Sequence, residues 1–414
     1  MNTRPFIYIG SQAVDQLVNY LAHHEMRRVT LVADTNTYSV LGARTKEALA
    51  VAGFNVHPVI LTGPEVIVDE QQVVEVMLNN DAQERTFVAV GSGTITDIVR
   101  FVTLQTKSAF ISLPTAPSVD GYTSPITPMV IKRLKVNGPG HLPQAVFADL
   151  DVLRGAPQSM IAAGVGDVIA KWTSTADWKL GRLVWGDHFD AAIAARFDQA
   201  LKSIVDAVDE IGVASEEGIR ALMQGLIECG LCMTDYGSSF PASGSEHLLS
   251  HFWESRLLAE RRPALLHGAK VGVGTVLAAG FWQQVRAIDY ADAARRLEVS
   301  QLPDPEQEIA RIRVCWPFAV TQVQAAQARF LAMTKVDYEA LKTTILNHWD
   351  EIQSVAAGVP SPSTVVDVLR KVRGPTTTKE VGLEERDLTD GLEYAYYLRD
   401  RLSILRLRRV LDLS

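Results

Sequence analysis

The chain has 414 residues, of which 47% are hydrophobic and 21% charged, with a formal net charge of -8 and three cysteines. This composition is typical of a folded globular protein with two or three domains, and it excludes a disordered chain. The acidic charge argues against nucleic acid as a partner, because nucleic-acid-binding proteins normally carry a basic field. Three cysteines are too few for a disulfide framework, and reduced cysteines fit the cytoplasm.

The N-terminal part alternates short apolar strands with amphipathic helices. Strands are predicted at Phe6–Ile9, Val29–Ala33, Val56–Leu61, Phe87–Val90, Phe110–Leu113 and Ala145–Phe147. The segments between them repeat apolar residues three and four positions apart, which indicates helices. Strands that alternate with helices favour a Rossmann-like parallel sheet, and such sheets bind ligands at the carboxyl ends of their strands.

From about residue 156 onward, long helical patterns replace the strands. We therefore predict an α/β nucleotide-binding domain over residues 1–155 and an all-α domain over residues 156–414, with the boundary near Pro157. The last pattern, residues 390–411, predicts one packed, salt-bridged terminal helix. No apolar run approaches the roughly 20 residues that span a bilayer, and MNTRPFIYIG lacks the features of a secretion signal, so we expect no membrane association.

Glycines follow the fourth predicted strand, in the turn Gly91-Ser92-Gly93 that leads into a helix. Glycines at such a turn let backbone N–H groups approach a phosphate, although any tight turn favours glycine. Asp34 follows the second strand, where a carboxylate can bind a ribose diol; the alternative is a helix N-cap. After the fifth strand, residues 114–125 gather hydroxyl side chains and Asp120, which favours a binding site over a surface turn.

Polar residues in the helical part predict a metal site. Asp167 follows Gly164 and Gly166, a position near the first turn of a helix. His247 and His251 are four apart on one helix face, and Ser243 and Glu246 have the spacing of a capping box that starts that helix. His267 lies within an apolar, glycine-rich helical run. Each residue alone is more often structural, but one carboxylate with imidazoles would suit Zn, Ni or Fe(II) better than Ca or Mg.

Together these motifs resemble the sn-glycerol-1-phosphate dehydrogenase family, including its bacterial arabinose-operon members. That family belongs with the iron-containing alcohol dehydrogenases, glycerol dehydrogenases and dehydroquinate synthases, so the resemblance implies a dehydroquinate synthase-like fold. It covers nearly the whole chain through the segments Gly91–Asp97, Thr115–Ser124, Gly164–Lys171, Gly244–His251 and His267–Thr275. The implied reaction is the NAD(P)-dependent interconversion of dihydroxyacetone phosphate and glycerol 1-phosphate, by a homo-oligomer that is often a dimer.

The resemblance also implies roles for single residues. NAD(P) would be contacted by Asp34, Gly93, Thr94, Ile95, Thr96, Asp97, Thr115, Ser118 and Ser124. One Zn or Ni ion, or Fe, would be held by Asp167, His247 and His267. Asp120, Asp167 and His251 would act on the small polyol phosphate substrate. The sequence departs from the family at Ser92, where relatives often have glycine, and at Arg100, where lysine is common.

Some features of the site stay open. The residues that bind the substrate phosphate are not identified, and the basic candidates are Lys132, Arg133, Lys135 and Lys171. A glycerol dehydrogenase would share the fold and metal ligands but lack a phosphate pocket. A dehydroquinate-synthase-like lyase would be expected to carry Glu in place of Asp167. A non-catalytic NAD-binding subunit is the remaining alternative, and the intact set of metal ligands argues against it.

Overall fold

The computed structural model describes residues 4–63, 65–81, 83–131 and 134–413. Its strands over these ranges are β1 (Phe6–Gly10), β2 (Arg28–Asp34), β3 (Asn55–Leu61), β4 (Thr86–Val90), β5 (Phe110–Leu113), β6 (Ile126–Ile131), β7 (Leu134–Pro139) and β8 (Ala145–Asp149). In this described part, six strands form a parallel sheet in the order β1-β8-β5-β4-β2-β3. The six predicted strands are confirmed, each within two residues of its predicted bounds.

The hairpin formed by β6 and β7 was not predicted. Its strands pair antiparallel, with Met129 opposite Val136. The hairpin contains Pro128, Gly138 and Pro139, residues that are usually depleted in strands. Proline is tolerated here because a two-stranded ribbon has only edge strands.

Both faces of the parallel sheet are covered by apolar side chains. Val88 and Val90 of β4 belong to one buried cluster, whereas Phe87 and Ala89 belong to another. Successive strand residues point to opposite faces, so the sheet is buried on both sides, as parallel sheets usually are. Complete burial of a side chain such as Phe87 contributes about 1.5–3 kcal/mol to stability.

The helices of this part are α1 (Ala13–His23), α2 (Thr35–Thr37), α3 (Ala43–Val51), α4 (Glu70–Leu78), α5 (Gly93–Thr106) and α6 (Leu150–Arg154).

The order of the strands creates a topological switch point in the sheet. Strand β2 pairs with β3 on one side and with β4 on the other, so the chain reverses its direction of travel across the sheet there. In open α/β sheets, ligands bind at the carboxyl ends of the strands that flank such a point.

All described elements after β8 are helical, as predicted. They are α7 (Gln158–Ile169), α8 (Lys171–Trp185), α9 (Ala191–Asp206), α10 (Val208–Gly212), α11 (Glu216–Tyr236), α12 (Ser245–Ala259), α13 (His267–Arg286), α14 (Tyr290–Val299), α15 (Pro305–Cys315), α16 (Val320–Ala326), α17 (Ala328–Leu331), α18 (Lys335–Asn347), α19 (Trp349–Gly358), α20 (Pro362–Lys371), α21 (Thr378–Val381), α22 (Glu385–Tyr394) and α23 (Ile404–Val410). Among the described residues, no helix is both long and apolar enough to cross a membrane.

The chain forms two compact units. The first comprises Met1–Val168, Gln199–Ser239 and Lys371–Arg373, and its described residues include the sheet, α1–α6 and α11. The second comprises Ile169–Asp198, Phe240–Arg370 and Gly374–Ser414 and is helical throughout its described residues. The domain division between residues 155 and 156 stays a prediction.

The prediction of one terminal helix over residues 390–411 is wrong. Helices α22 and α23 are separated by a 3-10 turn, Ala395–Leu398, and by residues 399–403. The interruption is stabilised by tertiary hydrogen bonds: Arg401 donates to the carbonyl of Phe240 (2.5 Å), and the N–H of Ile404 donates to Asp177 (2.7 Å). The predicted salt-bridged packing is present, since Arg409 of α23 pairs with Glu308 at 2.5 Å.

The three cysteines are buried thiols and form no disulfide. Cys229 and Cys232 lie one turn apart on α11, as expected for residues that pack a helix. Burial raises the pKa of the Cys315 thiol to about 12, so this thiol stays protonated at neutral pH.

Candidate active site

The turn between β4 and α5 presents a helix N-terminus beside the switch point. Gly93 is the first residue of α5. The N–H of Gly91 donates to the carbonyl of Leu113 (3.2 Å), and its carbonyl accepts from Thr115 (3.3 Å), so the turn is fixed to the end of β5. A Cβ on Gly93 would lie 2.8 Å from Cγ2 of Val119, so glycine permits this close packing. Free N–H groups at such a terminus favour a bound phosphate.

The residues of α5 that are predicted to contact the cofactor differ in their solvent exposure. Gly93 and Thr94 are half-buried, whereas Ile95 and Thr96 are each only 1% exposed. The hydroxyl of Thr96 lies 3.4 Å from that of Ser112, inside the core. Ile95 and Thr96 are therefore part of the buried core, whereas Gly93 and Thr94 are partly accessible at the start of α5.

Asp34 ends β2, on the other side of the switch point. One of its carboxylate oxygens accepts a hydrogen bond from the N–H of Thr37 (2.8 Å), and the hydroxyl of Thr37 accepts from the N–H of Asp34 (3.0 Å). The residue is thus the N-cap of α2, the alternative considered from the sequence. A carboxylate has two oxygens, so this cap is compatible with a further contact to a ribose.

Arg100 holds α5 against the loop that follows β5. Its guanidinium pairs with Asp97 and donates to the carbonyls of Gly121 (2.5 Å), Tyr122 (3.1 Å) and Ile126 (3.3 Å). Burial raises the pKa of Asp97 to about 6, although the charge of Arg100 opposes the shift. The arginine that departs from the family pattern therefore positions the loop through several carbonyls, which a lysine could not reach in the same geometry.

The loop that contains the remaining predicted cofactor residues is buried and is held in place by hydrogen bonds. The exposed fractions of its hydroxyl residues are low: Thr115 8%, Ser118 4% and Ser124 3%. The hydroxyl of Tyr122 donates to the carbonyl of Ala116 (2.5 Å). The hydroxyl of Thr123 donates to Ile227 of α11 (2.8 Å), and its carbonyl accepts from Thr234 (2.8 Å). This loop is therefore a rigid part of the first unit.

Asp167 lies in the last turn of α7, so the prediction that it lies in a first turn is wrong. The glycines before Asp167 are typical of a helix start, but Gly164 and Gly166 lie inside the helix. A Cβ on Gly164 would lie 1.9 Å from the carbonyl oxygen of Pro117. Glycine is thus required by close packing of α7 against the loop, which a local sequence pattern does not reveal.

A direct hydrogen bond links Asp167 to Asp120. Asp167 is completely buried, and its Oδ2 accepts from the backbone N–H of Asp120 at 2.9 Å. Asp120 is the first residue of the 3-10 turn Asp120–Thr123. The fold therefore brings together the carboxylate predicted to bind metal and the residue predicted to contact substrate.

Three imidazoles meet where α12 and α13 begin. His247 and His251 are one turn apart on α12, with ring centroids separated by 6.0 Å. His267 is the first residue of α13 rather than an interior one, and its ring centroid lies 5.4 Å from His247 and 5.6 Å from His251. The predicted histidines thus form one cluster.

Asp167, His247 and His267 could hold a metal ion. Each offers one ligand atom, and these atoms lie within 4.8 Å of one another. One carboxylate and two imidazoles fit Zn, Ni or Fe(II), whereas Ca and Mg prefer oxygen ligands alone. These are the three residues that the family resemblance implies as ligands.

The prediction that Ser243 and Glu246 form a capping box is wrong. Helix α12 begins at Ser245 with Gly244 as its N-cap. The Glu246 carboxylate accepts from the N–H of Gly244 (2.6 Å) and the hydroxyl of Thr173 (2.6 Å), and one oxygen lies 2.8 Å from Nδ1 of His247. Burial would raise the pKa of Glu246, but these hydrogen bonds and the charge of His247 keep it below its ordinary value. A carboxylate on Nδ1 orients the imidazole and leaves Nε2 for a metal. The adjacency of Glu246 and His247 in the sequence is the signal that could have indicated this role.

His251 lies in the histidine cluster but is not one of the three residues that could hold a metal ion. It is half-buried, and Nη2 of Arg399 lies 3.5 Å from its Nδ1. No local sequence pattern indicates a role for Arg399, since this residue falls inside a pattern that predicts continuous helix.

The basic residues proposed for the substrate phosphate have different environments. Lys171 is completely buried in the first turn of α8, and Lys135 is half-buried on β7. Lys132 and Arg133 lie outside the described residues. The sequence-based candidates therefore leave the phosphate contact unassigned.

Known proteins are similar to this chain in sequence and in fold. A family model for iron-containing alcohol dehydrogenases matches residues 8–157. The chain is 34% identical over 404 residues to glycerol-1-phosphate dehydrogenase (NAD(P)+) of Bacillus subtilis, covering 97% of this chain and 90% of that protein. The enzyme of the same name from Geobacillus thermodenitrificans is 33% identical over 396 residues, covering 95% of this chain and 89% of that protein.

A solved structure supports the fold assignment. The iron-containing alcohol dehydrogenase of Corynebacterium glutamicum aligns with a TM-score of 0.60 at 14% identity, covering 100% of this chain and 95% of that one. At that identity the likeness concerns the fold, while the two relatives above supply the closer relationship. The chain belongs to the glycerol-1-phosphate dehydrogenase family, within the iron-containing alcohol dehydrogenases.

Proposed function

We propose that this protein interconverts dihydroxyacetone phosphate and sn-glycerol 1-phosphate, with NAD(P)H as the hydride donor. The observation that carries the proposal is the cluster of Asp167, His247 and His267, whose ligand atoms lie within 4.8 Å of one another. Relatives named glycerol-1-phosphate dehydrogenase (NAD(P)+), at 33–34% identity over nearly the whole chain, support the substrate and the cofactor.

The metal ligands are Asp167, His247 and His267, and Zn, Ni or Fe is the ion. When bound, such a cation acts as a Lewis acid that stabilises negative charge on the oxygen of the reacting carbon, an effect worth several kcal/mol. Asp120 supports this set, because its N–H holds one oxygen of Asp167 at 2.9 Å. Glu246 supports it from the other side through Nδ1 of His247, which fixes the ring and its tautomer.

His251 is proposed to orient the reacting oxygen of the substrate by a hydrogen bond. Its Nδ1 faces the cationic Arg399, which favours Nδ1 as the unprotonated nitrogen. Nε2 then carries the hydrogen and can donate a hydrogen bond to the substrate oxygen. The proton that this oxygen gains when the carbonyl is reduced comes from solvent, and it returns to solvent when the hydroxyl is oxidised.

The cofactor is proposed to bind at the switch point of the sheet. The pyrophosphate meets the N-terminal residues Gly93–Asp97 of α5, and Asp34 meets the adenine ribose. Thr115, Ser118 and Ser124 line the same edge, and bound nicotinamide supplies the hydride chemistry. Asp34 favours NADH over NADPH, because a carboxylate repels a 2′-phosphate.

Assembly as a homodimer is also part of this proposal, since the family resemblance implies it. Location in the cytoplasm is included because the cysteines are buried thiols rather than disulfides. Light scattering of the purified protein tests the assembly state.

The test of the proposed function is NADH oxidation by metal-loaded protein with dihydroxyacetone phosphate, dihydroxyacetone or glyceraldehyde 3-phosphate. We expect the highest kcat/KM with dihydroxyacetone phosphate. Chiral analysis of the product should identify the 1-phosphate rather than the 3-phosphate. Turnover of dihydroxyacetone without turnover of its phosphate would contradict the proposal and favour a glycerol dehydrogenase.

A further inference from the structure

We propose that Arg399 binds the phosphate group of the substrate. The inference rests on the proposed function and adds to it the residue that distinguishes a phosphorylated from an unphosphorylated substrate. Arg399 precedes α23, in the non-helical segment 399–403.

The first argument is the position of Arg399. Its Nη2 lies 3.5 Å from Nδ1 of His251, and the ring of His251 lies 5.6 Å from that of His267. In dihydroxyacetone phosphate, the phosphate is carried by the carbon next to the carbonyl carbon. A substrate whose carbonyl oxygen is placed by the histidine cluster therefore has its phosphate only a short distance away, and the group that binds it must border the cluster.

The second argument is charge. Among the residues that the structure describes, no carboxylate forms an ion pair with the Arg399 guanidinium; its one side-chain hydrogen-bond contact is with His251. Two other arginines of the second unit do have such partners: Arg409 pairs with Glu308 at 2.5 Å, and Arg262 pairs with Asp387 at 2.8 Å. A partly buried cation without an anion is unfavourable unless a ligand supplies the opposite charge.

The charge of Arg399 persists at neutral pH. Burial and the nearby charge of Arg401 lower the pKa of Arg399 to about 10, and Glu246 opposes the shift. The guanidinium is thus protonated under physiological conditions. Its planar fork matches the geometry of a phosphate through two parallel hydrogen bonds.

The third argument is that the backbone around Arg399 is held in place. Gln327 donates to the carbonyls of Arg399 (3.0 Å) and Tyr397 (2.9 Å). Two residues further on, Arg401 donates to the carbonyls of Phe240 (2.5 Å) and Ser243. A binding residue on a rigid support loses little conformational freedom when its ligand binds.

The same segment is fixed to the start of the helix that carries His247 and His251. The carboxylate of Asp177 accepts from the N–H of Ile404 (2.7 Å) and from both the N–H and the hydroxyl of Ser245 (2.7 Å each). Ser245 is the first residue of α12. Arg399 is consequently held in a constant relation to the histidine cluster.

The test compares Arg399→Gln and Arg399→Lys with the parent protein, all loaded with metal. The control is Arg295→Gln, which removes the same charge from an exposed position on α14. We expect Arg399→Gln to lower kcat/KM for dihydroxyacetone phosphate about 100-fold, the loss typical for one partner of a desolvated charge pair. The kcat/KM for dihydroxyacetone should fall much less, because this substrate has no phosphate and loses only the effect of Arg399 on His251. Arg399→Lys should retain part of the preference for the phosphorylated substrate.

Two further measurements separate phosphate binding from a structural role. Metal content should be unchanged in Arg399→Gln. Calorimetric titration with inorganic phosphate should detect binding to the parent protein and to Arg295→Gln, and an affinity about 100-fold weaker in Arg399→Gln. Equal losses of kcat/KM with both substrates, loss of metal, or unchanged phosphate affinity would each overturn the proposal.

The outcome also distinguishes this inference from the proposed function. If the parent prefers dihydroxyacetone phosphate and Arg399→Gln keeps that preference, the function stands and the role of Arg399 is wrong. If the parent itself prefers dihydroxyacetone, the function is wrong. The titration with inorganic phosphate then decides alone whether Arg399 is an anion site.

Discussion

The backbone N–H of Asp120 donates to Oδ2 of Asp167 at 2.9 Å, and this bond connects two residues with different proposed roles. Asp167 is a proposed metal ligand, while Asp120 begins the 3-10 turn proposed to face the substrate. The proposed metal site and the turn proposed to face the substrate are therefore connected through one carboxylate group. A change at Asp167 should affect both the binding of the ion and the position of the loop.

The replacement Asp167→Asn should remove the charge of this residue while keeping its hydrogen bond. Asparagine keeps an oxygen for the N–H of Asp120 but removes the negative charge that a divalent cation needs. We expect loss of stoichiometric metal and of NADH oxidation, with an unchanged circular dichroism spectrum. Asp151→Asn, on the exposed face of α6, is the control and should keep both metal and activity. Full metal content and turnover in Asp167→Asn would refute its assignment as a ligand.

Replacement Glu246→Gln should weaken the metal site without destroying it. The carboxylate lies 2.8 Å from Nδ1 of His247, so its removal leaves the ligand present but less basic and less well oriented. Metal affinity should fall about 10- to 100-fold, the usual effect of losing such a partner. Excess metal should restore most of the turnover, whereas Glu217→Gln, exposed on α11, should need no excess. A loss of turnover that added metal does not restore would show that Glu246 acts in another way.

Local patterns predicted the features that depend on neighbours in sequence, and tertiary contacts decided the others. The strands, the turn at Gly91 and the spacing of His247 and His251 follow from periodicity and glycine placement. Arg399 reaches His251 from 148 residues away, so no local pattern could relate the two. The position of Asp167 was mistaken because the fit of Gly164 against Pro117 is visible only after folding.

Replacement Asp34→Asn should change the choice of cofactor. Asparagine caps a helix about as well as aspartate, so the start of α2 should be preserved and the melting temperature nearly unchanged. The negative charge is lost, and with it the repulsion of a 2′-phosphate. We therefore expect the ratio of kcat/KM for NADPH to that for NADH to rise. Asp34→Ala should raise the same ratio but also lower stability by about 1 kcal/mol through loss of the cap. An unchanged ratio in both variants would place the adenine ribose elsewhere.

Replacement Gly164→Ala should destabilise the first unit. The added Cβ would lie 1.9 Å from the carbonyl oxygen of Pro117, a backbone atom that can move only with the loop. Overpacking of this kind typically costs about 1–3 kcal/mol, measurable as a lower midpoint in urea. Gly358→Ala is the matched control, because a Cβ there meets no atom within 4 Å and the residue ends α19. The control replacement should leave the midpoint in urea unchanged or raise it slightly, since alanine has a higher helix propensity than glycine. Equal midpoints for the two variants would mean that α7 and the loop do not pack this closely.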